Sequence, residues 1–252
     1  AQLNDEVTQP EMPVPGNIKV ILVRGDVTLV NNDSGETKKL KKGDIFRENT
    51  TIITGVKSAC VIVLSNGSSL RIDENTDMDV TEFKQGAYDP EIGEFFTLTS
   101  DPSVSQTQFN LKQGSFVGET KKLNPDSTYT INTPIGSAGI RGTKFGSTVV
   151  QIGENSYEVT FAKQEGGMTY EFDIDGGALE DGESITVTGT VNPDGSVTID
   201  DSSRGALPPG MAEALEELAQ EAENEGAPAD SPTGGGDDDD KTNEQDIISP
   251  QE

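Results

Sequence analysis

The sequence predicts an all-β fold over residues 17–200, and three observations predict it. Apolar and β-branched residues gather in short runs separated by polar clusters, at the roughly four to eight residues typical of strands. Glycine, Asn-Gly and Pro-containing clusters punctuate those runs, as turns do. No stretch between residues 17 and 200 carries the apolar spacing of an amphipathic helix.

Residues 1–16 hold Pro10, Pro13 and Pro15 before Gly16, which predicts an extended leader. Ile18 to Val23 and Val27 to Val30 are β-rich runs separated by Arg24-Gly25-Asp26, and the cluster Asn31 to Gly35 closes the second. Thr51 to Thr54 stops at Gly55, and Ala59 to Leu64 stops at Asn66-Gly67, a strong hairpin signal. Ser69 to Ile72, Met78 to Phe83 and Phe95 to Thr99 follow as further strand candidates. Phe109-Asn110-Leu111 and Phe116-Val117 lie on either side of Gly114. Tyr129 to Thr133 stops at Pro134, and a run from Lys144 to Ile152 resumes after Arg141-Gly142-Thr143. Residues 153–200 continue the pattern as a β extension packed on residues 17–152, with runs at Tyr157–Phe161, Tyr170–Ile174, Ile185–Thr188 and Val197–Ile199. Leu40-Lys41-Lys42-Gly43-Asp44-Ile45 is echoed by Leu179-Glu180-Asp181-Gly182-Glu183-Ser184-Ile185, which we read as one corner used twice. Residues 201–252 are expected to form an acidic tail with a short helix at about 209–224, where Met211, Leu215 and Leu218 share a face. Such a helix is marginal alone. Residues 225–252 are Pro, Gly, Ser and acid, a composition expected to stay disordered. Asp237–Asp240 before Lys241 matches the enteropeptidase signal used in expression tags, and a natural acidic run is the expected reading.

Only 31% of residues are hydrophobic and 5% aromatic, with no Trp. A core over part of the chain and polar ends account for that. The formal net charge is −27, which repels nucleic acid and anionic lipid. No run approaches the roughly 20 apolar residues of a membrane helix, so direct membrane insertion is not expected. Cys60 is the one cysteine and sits in an apolar run, which predicts a small buried hydrophobe. The chain begins Ala1-Gln2-Leu3, the form of a mature terminus left by signal-peptide removal. A periplasmic, extracellular or cell-surface location is the expectation.

Four segments and their sequel carry a resemblance. Leu40 to Asp44 gives a Leu-x-x-Gly-Asp step, with Gly43 and Asp44. Ile53-Thr54-Gly55 gives a Thr-Gly step, Leu64 to Ile72 a hairpin with Gly67, and Glu74-Asn75-Thr76 the turn after it. Leu111 to Phe116 follows, then Thr133-Pro134 and Ile140-Arg141-Gly142-Thr143-Lys144-Phe145. This ordered set resembles the FecR domain of bacterial cell-envelope proteins, over about residues 18–150. The resemblance implies a twisted β-sandwich or short β-solenoid. It also implies a free-standing exported protein, since the anti-sigma and membrane-spanning segments of FecR itself have no counterpart here. The motif residues read as structural: glycines for conformations a Cβ penalises, Asn75 and Thr76 for corner hydrogen bonds. Arg141 is expected to bridge carbonyls or a carboxylate between layers, an anionic ligand being the alternative.

No catalytic set is expected. The chain has no His, the usual general base and metal ligand. Cys60 lacks a base partner, and the acids lie in turns and tails. Asp73, Asn75 and Asp77 alternate as calcium ligands do, but without the central Gly and terminal Glu of an EF-hand loop, and Asp173 and Asp175 precede a misplaced Gly. Solvated turns are expected at both, and no cofactor is assigned. The expected function is a non-catalytic exported binding or structural module of the cell envelope or exterior. It would act on a protein partner or on itself through sheet surfaces and edges. The alternatives are a self-assembling fibre subunit joined by strand addition, and an outer sensor of a FecR-type signalling system with a separate membrane partner.

Overall fold

The computed structural model describes residues 13–87, 95–173 and 175–226. The leader up to residue 12 and the tail expected to be disordered, from residue 227, lie outside them. Among the described residues there are sixteen strands: β1 Val14–Pro15, β2 Ile18–Arg24, β3 Val27–Asn31, β4 Thr37–Lys39, β5 Ile45–Phe46, β6 Thr50–Thr54, β7 Ala59–Leu64, β8 Ser69–Ile72, β9 Asp77–Gln85, β10 Ser105–Glu119, β11 Thr128–Asn132, β12 Gly136–Gln151, β13 Ser156–Phe172, β14 Asp175–Ala178, β15 Glu183–Val191 and β16 Val197–Ala206. One helix, α1 Met211–Gly226, follows them. The protein is all-β with a C-terminal helix.

All sixteen strands belong to one hydrogen-bonded sheet, which folds over itself into a twisted sandwich. The register shows how. The first half of β10 pairs antiparallel with β9 and parallel with β11, while its second half, from Gly114, pairs with β8 and β12. The first layer therefore runs β4–β3–β6–β9–β10–β11–β12–β13–β14, with β1 beside β9. The second runs β5–β2–β7–β8–β10–β12–β13–β15–β16. The long strands β10, β12 and β13 serve both layers. Their inner faces meet in one apolar cluster, where Tyr129 of the first layer packs on Phe145 of the second at 5.8 Å between ring centroids. Phe161 and Phe172, likewise from opposite layers, pack at 5.6 Å. Burial of this kind is the main favourable term in folding.

Sequence reasoning read β13 as two strands, Tyr157–Phe161 and Tyr170–Ile174, and broke β10 and β12 at their glycines. Each is one kinked strand. Gly114, Gly142 and Gly166 have φ of +94°, +59° and +98°, a left-handed turn of the backbone that redirects the chain while pairing resumes on the far side. β10 crosses at the end of the sandwich where Gly114 pairs with Val149. β12 and β13 cross at the other end, near Lys144 and Glu119.

Other expectations also shift. Phe95–Thr97 is a 3-10 turn and not a strand; Phe95 packs against the helix-side cluster, outside any ladder. The end of the leader pairs with β9 through Val14 and Pro15. β16 runs on to Ala206, six residues beyond the expected end of the extension, because it pairs with β15 down to Glu183.

The largest revision concerns α1. Read from sequence it belongs to an acidic tail; in the structure it lies on the outer face of the second layer. Met211, Leu215 and Leu218 pack onto Ile21, Val61, Val63, Val117 and Ala162. Each such side chain contributes about 2 kcal/mol when fully buried, enough to hold a helix that is marginal alone. The same contact explains β7, in which all six residues are buried. Cys60, Ile62 and Leu64 face the inner core, and Val61 and Val63 face the helix. An uninterrupted apolar run marks a strand covered on both faces.

Two glycines separate conformational strain from crowding. A Cβ on Gly166 would lie 2.1 Å from the Gly142 carbonyl oxygen, whereas one on Gly195, at φ +85°, would meet nothing within 4 Å. Gly195→Ala should cost about 1–2 kcal/mol for its backbone alone, and Gly166→Ala about 3–5 kcal/mol once overpacking adds. Urea unfolding measures both; equal losses would contradict the crossing geometry.

Candidate interaction surfaces

The motif residues gather at the ends of the sandwich, where the chain changes layers. Four crossings stack side by side at one end: β2 to β3, β6 to β7, β8 to β9, and β10 at Gly114. The Gly55 N–H donates to the Asp26 carbonyl (2.9 Å), and the Asn75 N–H donates to the Gly55 carbonyl (3.2 Å). Asp73 N–H reaches the Ser115 carbonyl (3.0 Å). Hydroxyls satisfy what the backbone cannot. Thr76 Oγ1 accepts from the Ser115 N–H at 3.0 Å, Thr54 Oγ1 from the Thr76 N–H at 2.9 Å, and Ser58 Oγ from the Asp26 N–H at 2.8 Å. Gly114 admits Thr76, since a Cβ there would sit 2.3 Å from Thr76 Oγ1. Asn75 adopts φ +55°, and Asn49 φ +61°. Both occur in Glu-Asn-Thr, at 48–50 and 74–76, a repeat that marks two equivalent corners and that sequence reasoning passed over.

The other echo is also structural. At Leu40–Asp44 the Lys41 N–H donates to the Asp44 carboxylate at 2.9 Å, with Gly43 at φ +90°. At Leu179–Glu183 the Glu180 N–H donates to the Glu183 carboxylate at 2.8 Å, with Gly182 at φ +79°. These N–H bonds are the largest influence holding each carboxyl below its ordinary proton affinity, with cations adding to it.

At the far end, the Thr143 N–H donates to Thr120 Oγ1 (2.8 Å) and Thr143 Oγ1 to the Gly167 carbonyl (2.6 Å). Arg141 Nη1 donates to the carbonyls of Pro125 (3.1 Å) and Ser127 (2.7 Å). Gly67, at φ +85°, turns β7 into β8 at this end as well, whereas the Pro134 turn, where Thr133 Oγ1 accepts from the Gly136 N–H, lies at the Gly114 end, since β11 runs parallel to the first half of β10.

The carboxylates considered for calcium are dispersed. Asp73 lies against Arg71 (3.3 Å), Asp77 against Lys112 (3.1 Å), and Asp173 and Asp175 flank the start of β14. Among the described residues no three His, Cys, Asp or Glu side chains form a group suited to a metal. Cys60 is fully buried, and burial, with Asp73 adding to it, pushes its thiol up to about 12. Thiolate chemistry is thereby disfavoured. A buried polar nest lies beneath the 98–104 segment: Asp101 accepts from the hydroxyls of Ser105 (2.5 Å) and Ser127 (2.8 Å), and Asn66 donates to Ser105 (3.2 Å).

That leaves the sheet edges. β4 is three residues long and carries Lys38 and Lys39, β5 has two residues and β14 four. Short, charged edges resist strand addition. β16 is different. Its ten residues pair with β15 alone, so one whole side of its backbone is unpaired among the described residues. Val197 and Ile199 pack on the core, and a bulge follows at Asp200. Arg204 anchors the far half. Its guanidinium donates to both Glu183 carboxylate oxygens (3.2 and 3.0 Å) and to Tyr170 Oη (2.6 Å), and lies 5.4 Å from the Tyr170 ring centroid. Sequence reasoning left Arg204 in the tail, because its partners are distant in sequence.

The family described as "FecR protein" matches residues 50–163. Two crystal structures of a protein from Parabacteroides distasonis, described as a candidate anti-sigma factor, are similar at 13% and 14% identity and a TM-score of 0.40 each. Both alignments cover 60% of this chain and 59% of theirs. The chain thus spans under two thirds of the length of those structures. No curated protein matches.

The Asp101 nest generates a pH test. Burial raises the Asp101 carboxyl above its ordinary 3.8 despite the Ser105 and Ser127 hydroxyls. The folded chain therefore holds that proton more tightly than the unfolded one, and stability from this group falls as pH rises from the ordinary value through the raised one. Comparing wild type with Asp101→Asn by urea unfolding, the variant should gain relative to wild type as pH rises from the ordinary carboxylate range, where the buried carboxyl must give up its proton. A stability difference independent of pH would contradict it.

Proposed function

We propose, from the match of residues 50–163 to the FecR family, that the chain is an exported, non-catalytic protein-binding module of a FecR-type signalling or cell-envelope system, and that β16 is its binding edge. The free side of β16 is the observation that carries the reading. An extended segment of a protein partner adds to such an edge through main-chain hydrogen bonds. The Arg204 clamp to Glu183 and Tyr170 holds the edge in place before a partner arrives, which lowers the ordering cost of binding. Asp200 and Asp201 on the edge favour a partner strand with basic or neutral side chains.

The same acids disfavour a fibre of identical copies. The leader that would supply the donor strand carries Asp5, Glu6 and Glu11, and the whole chain carries −27. Like charges would meet at every junction. An outer sensor working with a separate membrane partner fits better, and the FecR domain supports that form of the proposal.

A photo-cross-linking amino acid at Ser203 in β16, compared with one at Thr81 on the exposed face of β9, tests the edge in intact source cells. The proposal expects a discrete protein adduct from Ser203, lost when Arg204→Met frees the strand, and none from Thr81. Equal adducts from both positions, or none from β16, would contradict it.

A further inference from the structure

The core is left partly open along β16. Val197 and Ile199 face inward, since they lie opposite Val191 and Gly189 of β15, in line with the buried Ile185 and Val187. A Cβ on Gly189 would sit 3.2 Å from the Ile199 side chain and 3.4 Å from that of Ile135, so the two isoleucines share the space a side chain there would take. Val191, Val197 and Ile199 nevertheless remain only half-buried. Among the described residues no strand lies beyond β16 to cover them.

The solvent side of the strand differs in kind. Asp200 is the extra residue of the bulge. Beyond it, Ser202 and Arg204 lie opposite the buried Val187 and Ile185, while Asp201 and Ser203 lie opposite Thr188 and Thr186. Asp201 therefore points outward, in one row with Thr188 and Glu158. Asp200 points the same way, its Oδ2 accepting from Thr190 Oγ1 at 3.4 Å. β15 and β16 contain one cation, Arg204, and Glu183 holds it. Both aspartates are exposed, with no free cation on either strand to meet them.

Charges and a bulge on an edge can serve only to discourage pairing. That role accounts for the aspartates but not for the half-covered apolar side chains beside them. A docked strand accounts for both. Side chains alternate between its two sides, so one set would cover Val197 and Ile199 while the other faced Asp200 and Asp201.

We propose that the segment received by β16 is an amphipathic β-strand, apolar and β-branched on its core-facing side, with lysine or arginine at the alternate positions facing Asp200 and Asp201. The inference rests on β16 being the binding edge and adds the chemistry of what that edge binds. The net charge of −27 steers any basic segment toward the protein; the alternation is what selects among such segments.

Three peptides of ten residues, the length of β16, test this by fluorescence anisotropy against the full-length chain. One alternates valine with lysine, one alternates valine with glutamate, and one is an isomer of the first with its valines grouped at one end. The alternating lysine peptide should bind at least about tenfold more tightly than either of the others. Asp200→Lys with Asp201→Lys, both at exposed positions, should move the preference toward the glutamate peptide. Equal binding of the two lysine isomers, or a lysine preference unchanged by the charge reversal, would overturn the proposal. Two further copies of the alternating lysine peptide, N-methylated on odd or on even residues, test the edge itself. One of the two should lose binding, because its amides face β16. If that loss occurs while the isomers bind equally, the edge stands and the alternation fails. Binding retained by both methylated peptides overturns the edge reading and this inference with it.

Discussion

A strand that passes from one layer of a sandwich to the other must leave the hydrogen-bond ladder for a few residues, beside a core with no water to replace the lost partners. Each unsatisfied N–H or C=O there costs about 1–3 kcal/mol. This protein makes such crossings repeatedly and stacks them, so that one corner's carbonyl accepts the next corner's N–H, from Asp26 to Gly55 to Asn75. Where the backbone falls short, buried hydroxyls of Thr54, Ser58 and Thr76 complete the set. Left-handed residues at Asn75 and Gly114 turn the chain tightly enough for these contacts to form. The two layers are held in facing register at these points, and the aromatic contacts between layers follow from it.

The outer surfaces follow from the same plan. Crossings at both ends leave the lateral edges exposed, and most are short or carry lysines. Among the described residues, β16 alone offers a long unpaired side. The outer face of the second layer is apolar at Val61, Val63 and Val117, and α1 covers it. The helix thus completes the fold, and its C-terminal end is directed by charge toward Lys42.

Strand positions were legible because periodicity and turn chemistry act over a few residues. The runs at Ile18, Ala59, Ser69 and Tyr129 all correspond to strands. Gly114 and Gly142 were legible as breaks but not as crossings, since a positive φ looks the same in sequence whether pairing ends or resumes beyond it. The docking of α1 was foreshadowed twice, by the Met211, Leu215 and Leu218 face and by the two-sided apolar run of β7. Connecting them needs a contact across some 150 positions, beyond any local pattern. Arg204 was illegible for the same reason, its partners Glu183 and Tyr170 being brought to it by β15 and β13.

The most direct test of the account is native-state hydrogen exchange at the stacked corners. The amides of Thr54, Gly55, Asn75, Thr76 and Ser115 are donors in those contacts. If the corners hold the layers together, these amides exchange only through global unfolding, with the same free energy as the central strands β7 and β10. Exchange of the corner amides by local opening, while β7 and β10 stay protected, would contradict it.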